Sequence, residues 1–228
     1  MTSTIIVAAG KGMRMGPNVD KIFLEINGLP VVAHTWRRFD RSQCIDEIVL
    51  VIRQGMDNAF TELARQLDCK KPFRLVRGGP ERQDSVWNGL AGLNPRAEIV
   101  AIQDAARPCI TEALIAATVQ AAQQGGAAVA AQSITDTIKE SNDGKLVQRT
   151  LDRSRLWAVQ TPQTFRVDII RRALEEVRNR GILVTDDTAA CELIGQPVLL
   201  VPSVLPNPKV TRPEDLDYVE LLLKRLQP

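Results

Sequence analysis

The sequence holds a single histidine, His34, in 228 residues. That scarcity excludes most Ser-His-Asp and Cys-His schemes unless His34 itself is the base. Chemistry in this chain therefore runs largely without imidazole. Cysteine is also sparse: the four, at 44, 69, 109 and 191, form no Cys-x-x-Cys pair. Those spacings argue against zinc and, in a chain long enough to bury a full core, against a disulfide framework. Free thiols in a reducing compartment are expected. Neither sign of charge dominates, with 29 Lys and Arg against 27 Asp and Glu, so a nucleic-acid-coating surface is not expected. No apolar run approaches the ~20 residues that cross a bilayer. The first ten residues lack a basic stretch ahead of Ile5-Ile6-Val7-Ala8-Ala9. They read as a first strand and not a signal peptide, and a cytoplasmic location is expected.

What is present is an alternation of short apolar runs and longer helix-period segments. Strands are expected at Ile5–Ala8, Ile48–Ile52, Phe73–Val76, Ile99–Ile102 and Ala127–Ala131. Between them, Val31–Phe39, Asp57–Leu67, Ser85–Leu93 and Glu112–Gln124 repeat apolar residues at helical spacing. Continuous apolar strands separated by amphipathic helices imply a parallel sheet covered on both faces. The fold class is therefore α/β, doubly wound and mostly parallel, with one domain spanning 1–228. The pattern breaks over 134–160, where Ser141-Asn-Asp-Gly144 joins two polar runs as an inserted β-hairpin arm. Helical periodicity returns after Val167, and a capping box from Thr211 to Glu214 is expected to open a last helix through Leu226.

In such sheets, ligands sit beyond the carboxyl ends of strands. After the first strand comes Ala8-Ala9-Gly10-Lys11-Gly12-Met13-Arg14-Met15, with Lys21 downstream. A dinucleotide fingerprint fails at Met15, and no Gly-Lys-Ser/Thr exists for a Walker loop. What remains is an amide cradle with two cations, suited to a triphosphate, or simply a turn. After the third strand, Gly78-Gly79-Pro-Glu-Arg82-Gln-Asp84-Ser85 can present a base-reading turn or an ordinary helix cap. After the fourth, Asp104-Ala-Ala-Arg107-Pro108 offers a carboxylate for Mg²⁺ beside phosphates, or a structural ion pair with Arg107. The segments Thr135–Lys139, Asp152–Gln163, Val184–Thr188 and Asn207–Asp215 each read alone as a turn, a cap or a solvated charge.

Taken together, these segments resemble the 2-C-methyl-D-erythritol 4-phosphate cytidylyltransferases over nearly the whole chain. The resemblance rests on A-A-G-K-G-M-R-M, the lysine before I-F-L-E, G-G-x-x-R-x-x-S-V and D-A-A-R-P, in order. Two departures are Asp20, where many relatives have proline, and Gln103, where many have histidine; neither removes a residue assigned chemistry.

The resemblance implies transfer of a cytidylyl group from CTP to 2-C-methyl-D-erythritol 4-phosphate, with release of pyrophosphate, in non-mevalonate isoprenoid synthesis. It places CTP against Ala8, Ala9, Gly10, Gly12, Arg14, Lys21, Gly79, Ser85 and Asp104. Asp104 would hold Mg²⁺ or another divalent cation. Acceptor contacts fall to Arg107, Thr137, Arg153, Thr161, Thr185 and Lys209, with Asp104 shared. Arg14, Lys21, Arg153 and Lys209 are the expected catalytic cations. The arm is implied to cross to a second subunit, so a homodimer is expected, with no nucleic acid and no membrane as partner. Ending at 228, the chain is expected to carry this one activity and no fused partner enzyme. The competing readings are a cytidylyltransferase for another polyol phosphate, such as ribitol 5-phosphate, and a non-catalytic nucleotide-binding module.

Overall fold

A computed structural model describes residues 1–10 and 20–226. The chain begins with β1 (Thr2–Val7), a short hairpin of β2 (Glu25–Ile26) and β3 (Leu29–Pro30), α1 (Val31–Arg41), β4 (Glu47–Ile52) and α2 (Asp57–Leu67). It continues with β5 (Phe73–Arg77), α3 (Arg82–Ala91), β6 (Ile99–Asp104), α4 (Glu112–Gly125) and β7 (Ala127–Ser133). The arm carries β8 (Lys139–Glu140) and β9 (Arg149–Thr150). Then follow β10 (Trp157–Arg166), α5 (Val167–Arg180), α6 (Asp187–Leu193), β11 (Leu199–Pro202) and α7 (Asp215–Arg225).

Seven strands form one sheet in the order β11-β7-β10-β6-β1-β4-β5. β1 pairs in parallel with β4 on one side and β6 on the other, so the winding reverses at β1. Alternate residues of a strand point to opposite faces, and here each face has its own core. Ile6, Ile48, Leu50 and Ile52 pack with α1, α2, α4 and α7, among them Trp36, Phe60, Ile115 and Val219. Ile5, Val49 and Val51 pack on the other face with α3, α5 and α6, against Leu90, Ile170 and Cys191. Burial on both faces is why β4 and β6 read as unbroken apolar runs.

β10 departs from the expected pattern. It runs antiparallel between β6 and β7. Trp157 to Gln160, expected within the arm, are its first residues, and its register shifts between Val159 and Gln163 around a cis Thr161–Pro162 bond. A proline in a strand is tolerated at such a bulge. The arm thus leaves the sheet after Ser133 and re-enters at the paired Trp157. Its own ladder is short, Lys139 opposite Thr150 and Glu140 opposite Arg149. The expected cap of the last helix is corrected: Asp215, not Glu214, accepts from Thr211 N, Thr211 Oγ1 and Arg212 N. The helix starts at Asp215, three residues later than a Thr211–Glu214 box requires, and the carboxylate in reach of Thr211 is the next one. Among the described residues, no helix is long and apolar enough to cross a membrane.

Candidate active site

The carboxyl ends of β1, β4, β5 and β6 open on a cleft of about 1160 Å³. Gly78, at the end of β5, lies so close to β1 that a Cβ there would sit 2.3 Å from Ala9 Cβ. Only glycine allows the two strand ends to meet and form one wall. Ala8, Ala9, Gly10 and Gly79 all line that wall. Ser85 lines it too, but its hydroxyl is committed to the turn, accepting from Gly79 N at 3.1 Å and donating to Glu81 O. Asp84 accepts from Glu81 N, so the helix-capping reading of this segment is realised in the same residues that face the cleft.

Asp104, the last residue of β6, is the centre of the charge network. Its Oδ2 lies 2.8 Å from Lys209 Nζ, while Arg82 Nε and Arg107 Nε each stand 3.6 Å from one of its oxygens. Burial by itself would raise this carboxyl; Lys209, Arg82 and Arg107 outweigh it and hold the pKa down to about 2. Asp104 is therefore ionised throughout the physiological range. Its backbone N–H donates to Thr161 Oγ1 at 3.1 Å, which ties β10 to the end of β6. Arg107 donates to Asn207 O at 2.8 Å, and Asn207 Nδ2 donates to Thr161 O. Lys21, in a single 3₁₀ turn, donates to Val210 O at 3.2 Å. Val210 N in turn donates to Ala106 O. Lys21 and Lys209 are thus fixed to one segment of chain and both line the cleft.

Two charged residues in this network carry no assignment from the sequence. Arg82, the first residue of α3, donates to Asp187 Oδ2 at 2.7 Å. Asp187 is fully buried at the start of α6, and its N–H donates to Gln163 Oε1 on β10. Asp187 and Asp104 together hold Arg82 protonated despite its burial. The sequence signal was the apolar company of an Asp-Asp pair in Val184-Thr-Asp-Asp-Thr-Ala-Ala, where a buried charge needs a partner. Arg53, at the end of β4, also lines the cleft and forms an ion pair with Asp20.

The remaining expected residues divide. Arg107 and Thr161 stand behind the wall and brace it. Thr137, Arg153 and Thr185 are exposed and line no part of this chain's cleft. Arg153 donates to Thr135 O within the arm. Gly12 and Arg14 lie outside the described residues. His34 is half-buried on α1, with Nε2 2.7 Å from Ile26 O, and is not on the cleft wall. Cys109 and Cys191 are pushed up to about 12 by burial, so neither is a thiolate at neutral pH. Trp87 stacks under Arg178 at 4.9 Å and Trp36 is fully buried, so both are packing residues.

A divalent cation fits this donor set in one way. Among the described residues, no group of three His, Cys, Asp or Glu side chains could hold a metal alone. One ionised carboxylate on the wall of this cleft suits Mg²⁺, which takes one or two carboxylates and completes its shell with phosphate oxygens and water.

The sequence model of the 2-C-methyl-D-erythritol 4-phosphate cytidylyltransferases matches residues 2–225. A relative of that name from Pelotomaculum thermopropionicum is 42% identical over 226 residues, covering 99% of this chain and 95% of the relative. Another from Symbiobacterium thermophilum is 44% identical over 222 residues, covering 97% and 92%. Among solved structures, the 4-diphosphocytidyl-2C-methyl-D-erythritol synthase of Anaerococcus prevotii superposes with a TM-score of 0.87 at 31% identity, over 98% of this chain and 96% of that one. With its strand-end cleft and charge network built from the same motifs, the chain belongs to the 2-C-methyl-D-erythritol 4-phosphate cytidylyltransferase family.

Proposed function

We propose that the chain joins CTP to 2-C-methyl-D-erythritol 4-phosphate, forming the cytidine diphosphate conjugate and releasing pyrophosphate. The observation that carries this reading is the Asp104–Lys209 pair on the wall of a strand-end cleft, with Lys21 on the same wall.

The nucleophile is a phosphate monoester oxygen attacking the α-phosphorus of CTP. A monoester has its second pKa near ~6 and arrives ionised. No general base is required, which agrees with a cleft wall that carries no imidazole among the described residues. The barrier is the approach of an anion to a polyanion, and fixed cations lower it most effectively. Lys21 and Arg14 act on the triphosphate, offsetting charge on the α-phosphoryl oxygens and the departing pyrophosphate. Lys209, aimed by Asp104, receives the acceptor phosphate. Ala8, Ala9, Gly10, Gly12 and Gly79 offer backbone to the nucleotide, and Ser85 holds the Gly79 turn in place. Mg²⁺ on Asp104 would neutralise phosphate charge.

The arm completes the acceptor site of a second copy, where Thr137 and Arg153 bind the acceptor beside that copy's Lys209, while Arg107 and Thr161 brace the wall behind it. Two facts support this: Thr137 and Arg153 are exposed and off their own cleft, and the arm displays Leu146 and Val147 at 74% and 64% exposure. The test is pyrophosphate release with CTP, UTP and GTP against 2-C-methyl-D-erythritol 4-phosphate and ribitol 5-phosphate. Turnover with CTP and the erythritol acceptor is expected. Turnover confined to ribitol 5-phosphate, or CTP binding without turnover on any polyol phosphate, overturns the reading.

A further inference from the structure

We infer that the chain carries a second anion site, remote from the cleft, in which Arg37, Arg38 and Arg41 receive a small phosphoryl anion. The three arginines line a cavity of about 160 Å³ between α1, the β2–β3 turn and α7, together with His34 and Asn27 over a floor that includes Leu223. Arg37 and Arg41 are four residues apart and share one face of α1, an arrangement of like charges that opposes helix formation. The carbonyl end of α1 favours cations in its last turn, but among the described residues no opposite charge neutralises the cluster. Among the described residues, no carboxylate lines the cavity and none lies within 4.0 Å of the three guanidinium groups. Acidic groups on the two helices are engaged elsewhere. On α1, Asp40 accepts from Lys70 N and Lys71 N; on α7, Asp215 accepts from Thr211 and Arg212 and Glu220 pairs with Lys224.

Arg38 has a structural task as well, donating to Leu226 O at 3.4 Å near the end of α7. Arg37 and Arg41 have no hydrogen bond or ion pair among the described residues. Half-buried Arg37 has its pKa lowered by burial and by its neighbours Arg41 and Arg38, which adds to the same imbalance. Planar guanidinium forks favour phosphoryl and carboxylate oxygens in paired hydrogen bonds.

Size narrows the ligand. At ~30 Å³ per water the cavity holds about five waters. A phosphoryl group fits there, whereas pockets for drug-sized ligands begin near ~300 Å³. The helix that carries the arginines also reaches the catalytic wall, because Thr35 Oγ1 donates to Ala105 O at 2.9 Å. An anion bound here therefore bears on an element that touches the residue after Asp104.

The experiment is calorimetric titration of the full chain with orthophosphate and, separately, with diphosphate. Saturating CTP without acceptor fills the nucleotide half of the cleft, and anion binding that persists unchanged in Arg37→Gln/Arg41→Gln is assigned to the acceptor half. The buffer holds ~150 mM NaCl to screen loose surface attraction. CTP binding is measured first, so that failure of the cytidylyltransferase reading is seen separately. Saturable binding of at least one anion is expected, weakened tenfold or more in Arg37→Gln/Arg41→Gln and less in Arg41→Gln alone. Melting temperatures of both variants should be no lower than that of wild type, because neither side chain has a partner to lose and each variant removes a like-charge contact. Tighter binding of diphosphate identifies the leaving group of the reaction as the ligand; equal or tighter binding of orthophosphate identifies the free ion. No saturable binding of either anion, or equal affinity in the double variant, overturns the site.

Discussion

The cleft and the arm are built on opposite terms. In the cleft, Asp104, Lys209, Arg82, Arg107 and Asp187 hold one another within a single chain, each fixed by a neighbour from a different element. In the arm, Arg149 pairs with Glu140 and the Arg153 side chain donates to Thr135 O, while Leu146 and Val147 face solvent. The difference teaches that the cleft part of the proposed site is fixed by the fold of one chain, whereas the arm part takes its place, under the proposal above, only in a second copy.

The sharpest way to break that contrast is to disable each half and mix them. Lys209→Ala and Arg153→Ala should each lower kcat/KM by ~10²–10³-fold, the scale of one electrostatic donor. Lys209→Ala should also lower the melting temperature, and Arg153→Ala should leave it unchanged. If the arm serves the partner, a mixed dimer has one intact site. Equal mixing after reversible denaturation should then restore about a quarter of wild-type activity. No recovery would place Arg153 in its own chain's site.

Next in size is Asp187→Ala, which leaves Arg82 with only the more distant Asp104. Loss of a buried partner costs ~3–5 kcal/mol, and the low end is expected because Arg82 is 28% exposed. Denaturant unfolding measures it, and Asp187→Glu should recover part of the loss. A fall below ~1 kcal/mol would show that the pair does not brace the wall.

Acid titration gives a smaller effect. The folded pKa of Asp104 lies near 2 against an ordinary 3.8, so its contribution is present above pH ~4 and is lost as pH falls toward 2. The change is on the order of 2 kcal/mol. In the arm, Asp143 accepts from Lys145 N and Leu146 N, and hydrogen bonding lowers its pKa as well. It is fully exposed, so its protonation should loosen only the turn. Amide exchange between pH 5 and 2.5 separates the two regions.

The smallest effect on stability should come from Leu146→Asp/Val147→Asp. Exposed substitutions of this kind stay within about ±0.5 kcal/mol, while sedimentation should shift from dimer to monomer. An unchanged sedimentation coefficient would remove the arm from the interface.

The parallel strands and their helices were legible because burial on both faces writes itself as continuous apolar runs, as in Ile48 to Ile52. β10 was not, because Thr161-Pro162-Gln163 sits in its middle and a proline argues against a strand unless a bulge accommodates it. Lys21, Asp104 and Lys209 were legible as charges next to strand ends or within family motifs. Arg82 and Asp187 were not, since each looks like a residue of a helix start until the fold brings α3 and α6 together over β10. The Asp215 cap was missed by one position for a similar reason: two neighbouring carboxylates compete, and only backbone geometry selects between them.

The pairing of Ser133 with Trp157 has a consequence in evolutionary terms. The arm departs from and returns to adjacent, hydrogen-bonded positions in the sheet, so its length is independent of the register of every strand. Insertions, deletions and new side chains can accumulate there without disturbing either core. A lineage can therefore revise the arm while inheriting the strand-end cleft unchanged.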